Sequence, residues 1–324
     1  MEPAPSGPSV KLAPRIVGAC VPWMWLAGLT LAHVAPWCGL AVARTLPVEA
    51  GLVLGTPLLL LAPSRHSRRM CTTAWILGWV VLSPTPVALL RSLTPLPAKG
   101  SLRVVTLNCA GGDVRAAEEA FRLQPQLLLL QESPSSTQIR ALLRRHPGWT
   151  ATVGPDASIL AQGSVRPFVG PDRHTDFVAA EVRLAGGGQP FRVASLRLTA
   201  PLLRLDFWNP AAWRAYAEDR SLRKRDLERI VRQLQAAGSA GWILGGDFNT
   251  PPDPCVEGAL APLGLRDAFS SAGRGWGGTG PAEFPLVRID RILCPEGWRV
   301  RAAWTVRSAF SDHRMVVADL EPSP

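Results

Sequence analysis

The sequence has no Cys-x-x-Cys pair among its six cysteines, which argues against a zinc site. Acid is scarce in its first third: residues 1–100 carry two Asp or Glu against eight Lys or Arg. Residues 101–324 carry 23 acids against 27 bases, a net of +4. The overall net charge of +10 is therefore mostly N-terminal, and the remainder lacks the basic excess from which nucleic-acid binding could be argued. Nearly all the positive charge is arginine. Formal charge is missing altogether from residues 16–43 and 71–90.

Those uncharged runs set the first expectation. A membrane helix needs about 20 apolar residues, and a signal-peptide apolar region only about 7–15. Residues 16–43 fit the former, 71–90 fit it with a kink at Ser83-Pro84-Thr85-Pro86, and 50–62 is a shorter third run. Arg65, Arg68 and Arg69 between the second and third runs, with Lys11 and Arg15 before the first, are expected on the cytoplasmic side. Three spans across 16–91 then place the rest of the chain outside the cytoplasm, as a multi-pass protein of the cell membrane; if the short run 50–62 does not span, the side reverses. Residues 1–15, rich in Pro, Ser and Gly, read as a disordered tail, and 92–100 as a linker. Cys20, Cys38 and Cys71 lie in the apolar third; Cys109, Cys255 and Cys294 leave at least one cysteine unpaired within 101–324. The count leaves the redox compartment open.

Beyond residue 100 the pattern changes to that of a layered α/β domain. Strands are expected at 101–108, 126–132, 149–153, 157–162, 176–184, 191–198, 242–245 and 287–294, with a last one after His313. Helices are expected at 114–123, 135–145 and 218–237. The residues able to do chemistry fall at strand ends: Asn108, Glu132, Arg197, Asp247, Asn249, Asp312 and His313, with Asp290 inside a strand. In WILGGDFNTPPD (242–253) an extended backbone would aim Asp247 and Asn249 at one spot and turn Phe248 into the core. An Asx-type turn is the alternative for that stretch. The aromatic and Arg-rich segment 202–217 suits base stacking, a lipid headgroup or simple packing, and Trp276 sits in a glycine-rich loop.

TLN (106–108), LLLQE (128–132), GGDFN (245–249), RIDRIL (288–293) and SDH (311–313) occur in one order over 101–324. With these pieces the chain resembles the endonuclease/exonuclease/phosphatase superfamily of divalent-metal phosphoesterases. The resemblance implies an α/β fold, a four-layer α-β-β-α sandwich with two mainly antiparallel sheets. It implies Mg²⁺ or Mn²⁺ as cofactor, held by Asn108, Glu132 and Asp312. It assigns the attacking water to Asp247 and Asn249, and the scissile phosphate to His313 with Asp290 on the other ring nitrogen. Many relatives carry histidine where this chain has Arg197, and a guanidinium binds phosphate but cannot act as a neutral acid or base. The expected function is hydrolysis of a phosphodiester, nuclease-like or phospholipase-like, or of a phosphomonoester. Expected partners are a nucleic acid, phospholipid headgroup or small phosphoester, and the membrane, with no specific protein partner. A phosphate-binding membrane protein without turnover is the alternative.

Overall fold

The computed structural model describes residues 12–45, 47–100, 102–168, 177–201, 204, 206–238 and 241–323. The chain divides into two units, residues 1–35 with 43–83, and residues 36–42 with 84–324.

The first unit holds α1 (Leu12–Val34), α2 (Val48–Gly55) continued by a 3₁₀ turn (Thr56–Leu61), and α3 (Arg65–Leu82). Val48, Leu52 and Trp75 pack together, and the indole N–H groups of Trp25 and Trp75 donate to the carbonyls of Gly51 and Leu52. The outward side chains are apolar: Val17, Met24, Val53, Leu60 and Val81 are exposed.

Three spans are not what these helices provide. Among the described residues, Val17–Val34 is the one window long and apolar enough to cross a membrane alone, and joining α3 to the helix after it gives at most two. Prolines break the other runs, because each removes a donor and clashes with the preceding turn. Pro36 follows the end of α1, Pro57 falls where α2 gives way to the 3₁₀ turn, and Pro84 follows α3. The basic residues 65–69 form the first turns of α3, capped by Ser64, rather than a loop. Of the expected N-terminal tail, residues 1–11 lie outside the described residues and 12–15 begin α1.

The second unit runs α4 (Thr85–Ser92), β1 (Leu102–Asn108), α5 (Val114–Ala120), β2 (Leu127–Gln131), α6 (Ser136–Leu143), β3 (Trp149–Val153), β4 (Ala157–Pro167), β5 (Phe177–Leu184) and β6 (Phe191–Arg197). It continues with α7 (Pro210–Ala236), β7 (Trp242–Asp247), α8 (Pro254–Glu257), β8 (Leu265–Asp267), α9 (Ala268–Ala272), β9 (Asp290–Pro295), β10 (Trp298–Arg307) and β11 (Arg314–Pro322).

The strands form one curled mixed sheet, ordered β10-β11-β1-β2-β4-β5-β6-β7-β9-β8, with β3 paired to β4. Only β1–β2 and β6–β7 are parallel ladders among the named strands; the others are antiparallel. The join is β4: its first half pairs with β2 and its second half with β5. The expected pair of sheets is therefore one sheet folded over at β4.

Side-chain alternation shows how the halves meet. Leu102 and Val104 of β1, Leu127 and Leu129 of β2, Val193 of β6, Ile243 of β7 and Ile292 of β9 share one inner cluster. The opposite faces are covered by helices. Val105, Leu107, Leu128 and Leu130 meet Ala116 and Ala120 of α5 and Ile139 of α6. Leu196, Trp242 and Leu244 meet Leu227, Ile230 and Leu234 of α7.

Helix α7 starts at Pro210, earlier than its apolar stripe suggests, because the Asn209 side chain caps it by accepting from the Ala211 N–H. Part of the aromatic and Arg-rich segment 202–217 is thus helical; residues 202, 203 and 205 lie outside the described residues. Tyr216 packs on Ala41 and Val42, and a disulfide joins Cys38 to Cys255 at a Cα separation of 5.4 Å.

Candidate active site

The inner-face parity decides what meets at the rim. Counting by twos from Leu102 reaches Asn108, from Val193 reaches Arg197, from Ile243 reaches Asp247, and from Ile292 reaches Asp290. Each is thus an inward position at a strand end. The ladders align them sideways: Arg197 pairs with Asp247, Asp247 with Asp290, and Asn108 with Gln131. Just beneath, Gln131 accepts from the Thr106 hydroxyl and donates to Ser195, tying the two halves together with buried hydrogen bonds.

Gly246 makes room for this. Its φ is +151°, and an added Cβ would meet the Leu196 carbonyl, so β6 and β7 close up only with glycine there. Glu132 and Asn249 both sit in the left-handed region, at φ +42° and +49°. The strand therefore ends at Asp247, and Asn249 does not follow an extended path. It turns back instead: its backbone N–H donates to Asp247 Oδ1 (2.8 Å), and its side-chain amide donates to Asp247 Oδ2 (3.1 Å) and to the Leu198 carbonyl (2.7 Å). This is the Asx-type turn with the amide kept on the carboxylate. Phe248 is fully buried, as the alternation predicts.

Two clusters share the rim. In one, Asn108 Nδ2 donates to Glu132 Oε1 and to Asp247 Oδ2, both at 3.1 Å. Glu132 Oε2 accepts from the Gly111 N–H at 2.6 Å, and Arg197 donates to Glu132 Oε1 at 2.7 Å and to Asp156 Oδ2 at 3.3 Å. Burial works against the Glu132 charge, but the bonds from Asn108 and Gly111 and the Arg197 and His313 charges outweigh it and hold its carboxyl below the usual range. In the other cluster, His313 Nδ1 lies 2.8 Å from Asp290 Oδ2. Burial opposes the charged ring, yet the charge and hydrogen bond of Asp290, with Asp247 and Asp312 adding, raise the His313 pKa to about 10. Asp247 moves the other way from an ordinary acid: burial and the Asp290 charge push it up to about 7, against the pull of His313.

Ligand atoms of Asp247, Asp290 and His313 lie within 4.8 Å of one another, a grouping able to hold a cation, and the buried Asp290 Oδ1 has no hydrogen-bond partner. Glu132, anionic and oxygen-only, fits a hard divalent ion equally well. Asp312 is exposed and meets this grouping through its field on His313; its backbone carbonyl accepts from the Ala282 N–H. Trp276 donates to the Pro285 carbonyl within the loop that precedes β9.

The sequence model of the endonuclease/exonuclease/phosphatase family matches residues 105–313, from β1 to this histidine. The chain belongs to that family. Similar solved structures include a family protein from Bacteroides vulgatus, at 16% identity over 68% of this chain and 99% of that one with a TM-score of 0.51. A mannosyl-6-phosphatase from Bacteroides thetaiotaomicron VPI-5482 is similar at 15% identity over 68% of this chain and 99% of that one, TM-score 0.51. These likenesses are of fold. No curated protein matches the chain by sequence.

Three further residues shape this site, and two of them, Asp156 and Thr279, lie outside the short motifs. Asp156 lies in the turn before β4 and holds Arg197. Thr279 accepts from the Asp290 N–H through its hydroxyl. Arg291 is fully buried, with its guanidinium 4.0 Å from the Phe248 ring centroid and paired to Glu257. Of the three, only Arg291 had a legible hint, a charged residue where RIDRIL alternation calls for a core side chain.

Proposed function

We propose that the chain is a phosphoester hydrolase dependent on Mg²⁺ or Mn²⁺ and attached to a membrane by its N-terminal unit. The observation that carries the reading is the convergence of Asp247, Asp290 and His313 within 4.8 Å, beside Glu132 and Arg197. A divalent ion supplies charge neutralisation for the phosphoryl oxygens and the leaving oxygen. Glu132 and Asn108 would hold it. Asp247, poised near neutrality, accepts the proton of the attacking water. Asn108 and Asn249 fix the carboxylate for that role through their amides. His313, its Nδ1 donating to Asp290, has Nε2 left for the phosphate, and its positive charge opposes the charge that gathers there. Arg197 binds a second phosphoryl oxygen.

The membrane reading rests on α1, whose 18-residue window has a mean hydropathy of 1.4 and is only 11% buried, unlike the core helix of a folded domain. The disulfide adds a constraint of parity. Disulfides persist in oxidising compartments, and Cys38 and Cys255 must lie on the same side of any membrane. If α1 crosses with Lys11 and Arg15 inside, both cysteines are outside, and the helices between 48 and 82 make no net crossing. The catalytic unit then faces away from the cytoplasm.

Turnover is tested on the full chain in detergent, with and without Mg²⁺ or Mn²⁺, against DNA, RNA, sphingomyelin, mannose 6-phosphate and p-nitrophenyl mono- and diesters. Metal-dependent hydrolysis lost in His313→Ala and Asp247→Ala supports the reading. Binding of phosphate without hydrolysis of any of these would favour a non-catalytic role.

A further inference from the structure

Arg197 divides its guanidinium between two carboxylates. One terminal nitrogen donates to Glu132 and the other to Asp156, while Nε is buried without a partner. Asp156 is itself fixed, because its backbone carbonyl accepts from the Ser133 N–H, one residue beyond Glu132. The side chains of Arg197, Glu132 and Asp156 are 27%, 25% and 26% exposed, so their charges are partly desolvated and shift little by solvent screening alone.

A guanidinium on Glu132 Oε1 and a divalent cation on the same oxygen repel each other at contact range. We propose that Arg197 is a built-in counter-ion that a divalent cation must displace from Glu132, and that Asp156 is the positioning residue that receives Arg197 when the cation binds. The inference rests on the metal-dependent reading above. The longer arm, 3.3 Å to Asp156 against 2.7 Å to Glu132, gives the side chain a second resting place without leaving the rim. Cation affinity and phosphate binding are thereby set by one arginine shared between two acids.

The test is Mn²⁺ affinity of the full chain, read by electron paramagnetic resonance and calorimetry. Arg197→Ala should bind Mn²⁺ about tenfold more tightly, since the competing charge is gone, and Arg197→Lys should remain close to the parent. Asp156→Asn should weaken Mn²⁺ binding by about threefold, because Arg197 then rests wholly on Glu132. In the Arg197→Ala background the Asp156→Asn change should have no effect on Mn²⁺. An Arg197→Ala protein that binds Mn²⁺ no better than the parent overturns the inference. So does an Asp156→Asn effect that persists without Arg197, since it would be a simple field effect. A parent protein that binds no Mn²⁺ overturns this inference and the metal reading together. One that binds Mn²⁺ with the predicted pattern but hydrolyses nothing overturns only the enzymatic reading.

Discussion

His313 Nδ1 stands 2.8 Å from Asp290 Oδ2, and Asp290 is completely buried. A buried carboxylate facing a ring nitrogen favours the imidazolium and, against burial of the ring, raises the His313 pKa to about 10; burial and the Asp290 charge push Asp247 beside it up to about 7. Hydrolysis should therefore rise with pH through about 7, as Asp247 sheds its proton, and fall through about 10, as His313 sheds its own. In Asp290→Asn the upper limb should move down towards the ordinary histidine value. Stability should follow the same sign. A histidine pKa raised from 6.5 to about 10 contributes fully below 6.5 and is lost as pH rises through 10. The stability gap between the parent and Asp290→Asn should be largest near pH 6 and should narrow as pH rises through about 10. Rate profiles and urea titrations at several pH values check both.

Asn249 combines a backbone requirement with a chemical one. Its φ of +49° suits Asn or Gly, and its amide holds Asp247 Oδ2 and the Leu198 carbonyl. Asn249→Gly keeps the turn and removes the amide, so turnover should drop by about 10²-fold with a stability loss near 1 kcal/mol. Asn249→Ala should lose the same activity and about 1 kcal/mol more stability, because alanine resists the left-handed region. Equal stability of the two variants would show that the turn does not need its present residue.

Much of the catalytic unit was legible because strand patterning is local. Alternation in 101–108 and 191–198 puts Asn108 and Arg197 on the core-facing parity, and the parity alone brings them to the rim. What escaped is set by the other half of the fold. For Asn249 the sequence leaves an extended path and an Asx-type turn both open, and the proximity of Leu198 and Asp247 selects the left-handed turn. Strand β10 alternates plainly only over Trp298–Arg301; the pattern slips at the irregularity between Val300 and Ala302, and pairing with β11 carries the strand on to Arg307. Asp156 belongs to no motif; only the fold of β4 back onto β5 brings its turn to Arg197. Three spans are not supported for a local reason: the runs lack charge, but Pro36, Pro57 and Pro84 end or break their helices.

Arg291 separates packing from charge. It is fully buried against the Phe248 ring, and its partner Glu257 is 38% exposed. Burial lowers the Arg291 pKa against the pull of Glu257 and Asp267, so its charge is held at a cost. Arg291→Met, which fills the space and leaves Glu257 to water, should be within about 1 kcal/mol of the parent. Arg291→Ala should lose about 2–4 kcal/mol through the cavity under Phe248 and should also slow hydrolysis by loosening Asp247 and Asn249. Urea unfolding of the two variants decides it: equal losses would mean that the ion pair, and not the volume, supports the catalytic turn.

The Cys38–Cys255 bond closes a loop with a sequence separation of 217 residues, and Cys255 lies in the short helix after the Asp247–Asn249 turn. Cross-linking a loop of that length removes chain entropy worth about 5 kcal/mol from the unfolded state in the simplest model. Cys255→Ser should therefore migrate differently from the parent on a non-reducing gel, and the difference should vanish under reductant. Its urea midpoint should fall by an amount that reductant reproduces in the parent. Because the bond reaches the segment carrying Asp253, which caps α8, turnover in Cys255→Ser should fall further than stability alone accounts for when measured well below the midpoint. Identical mobility of parent and variant in protein isolated without reductant would mean that the thiols stay apart, and would remove the support that the disulfide gives to an extracytoplasmic catalytic unit.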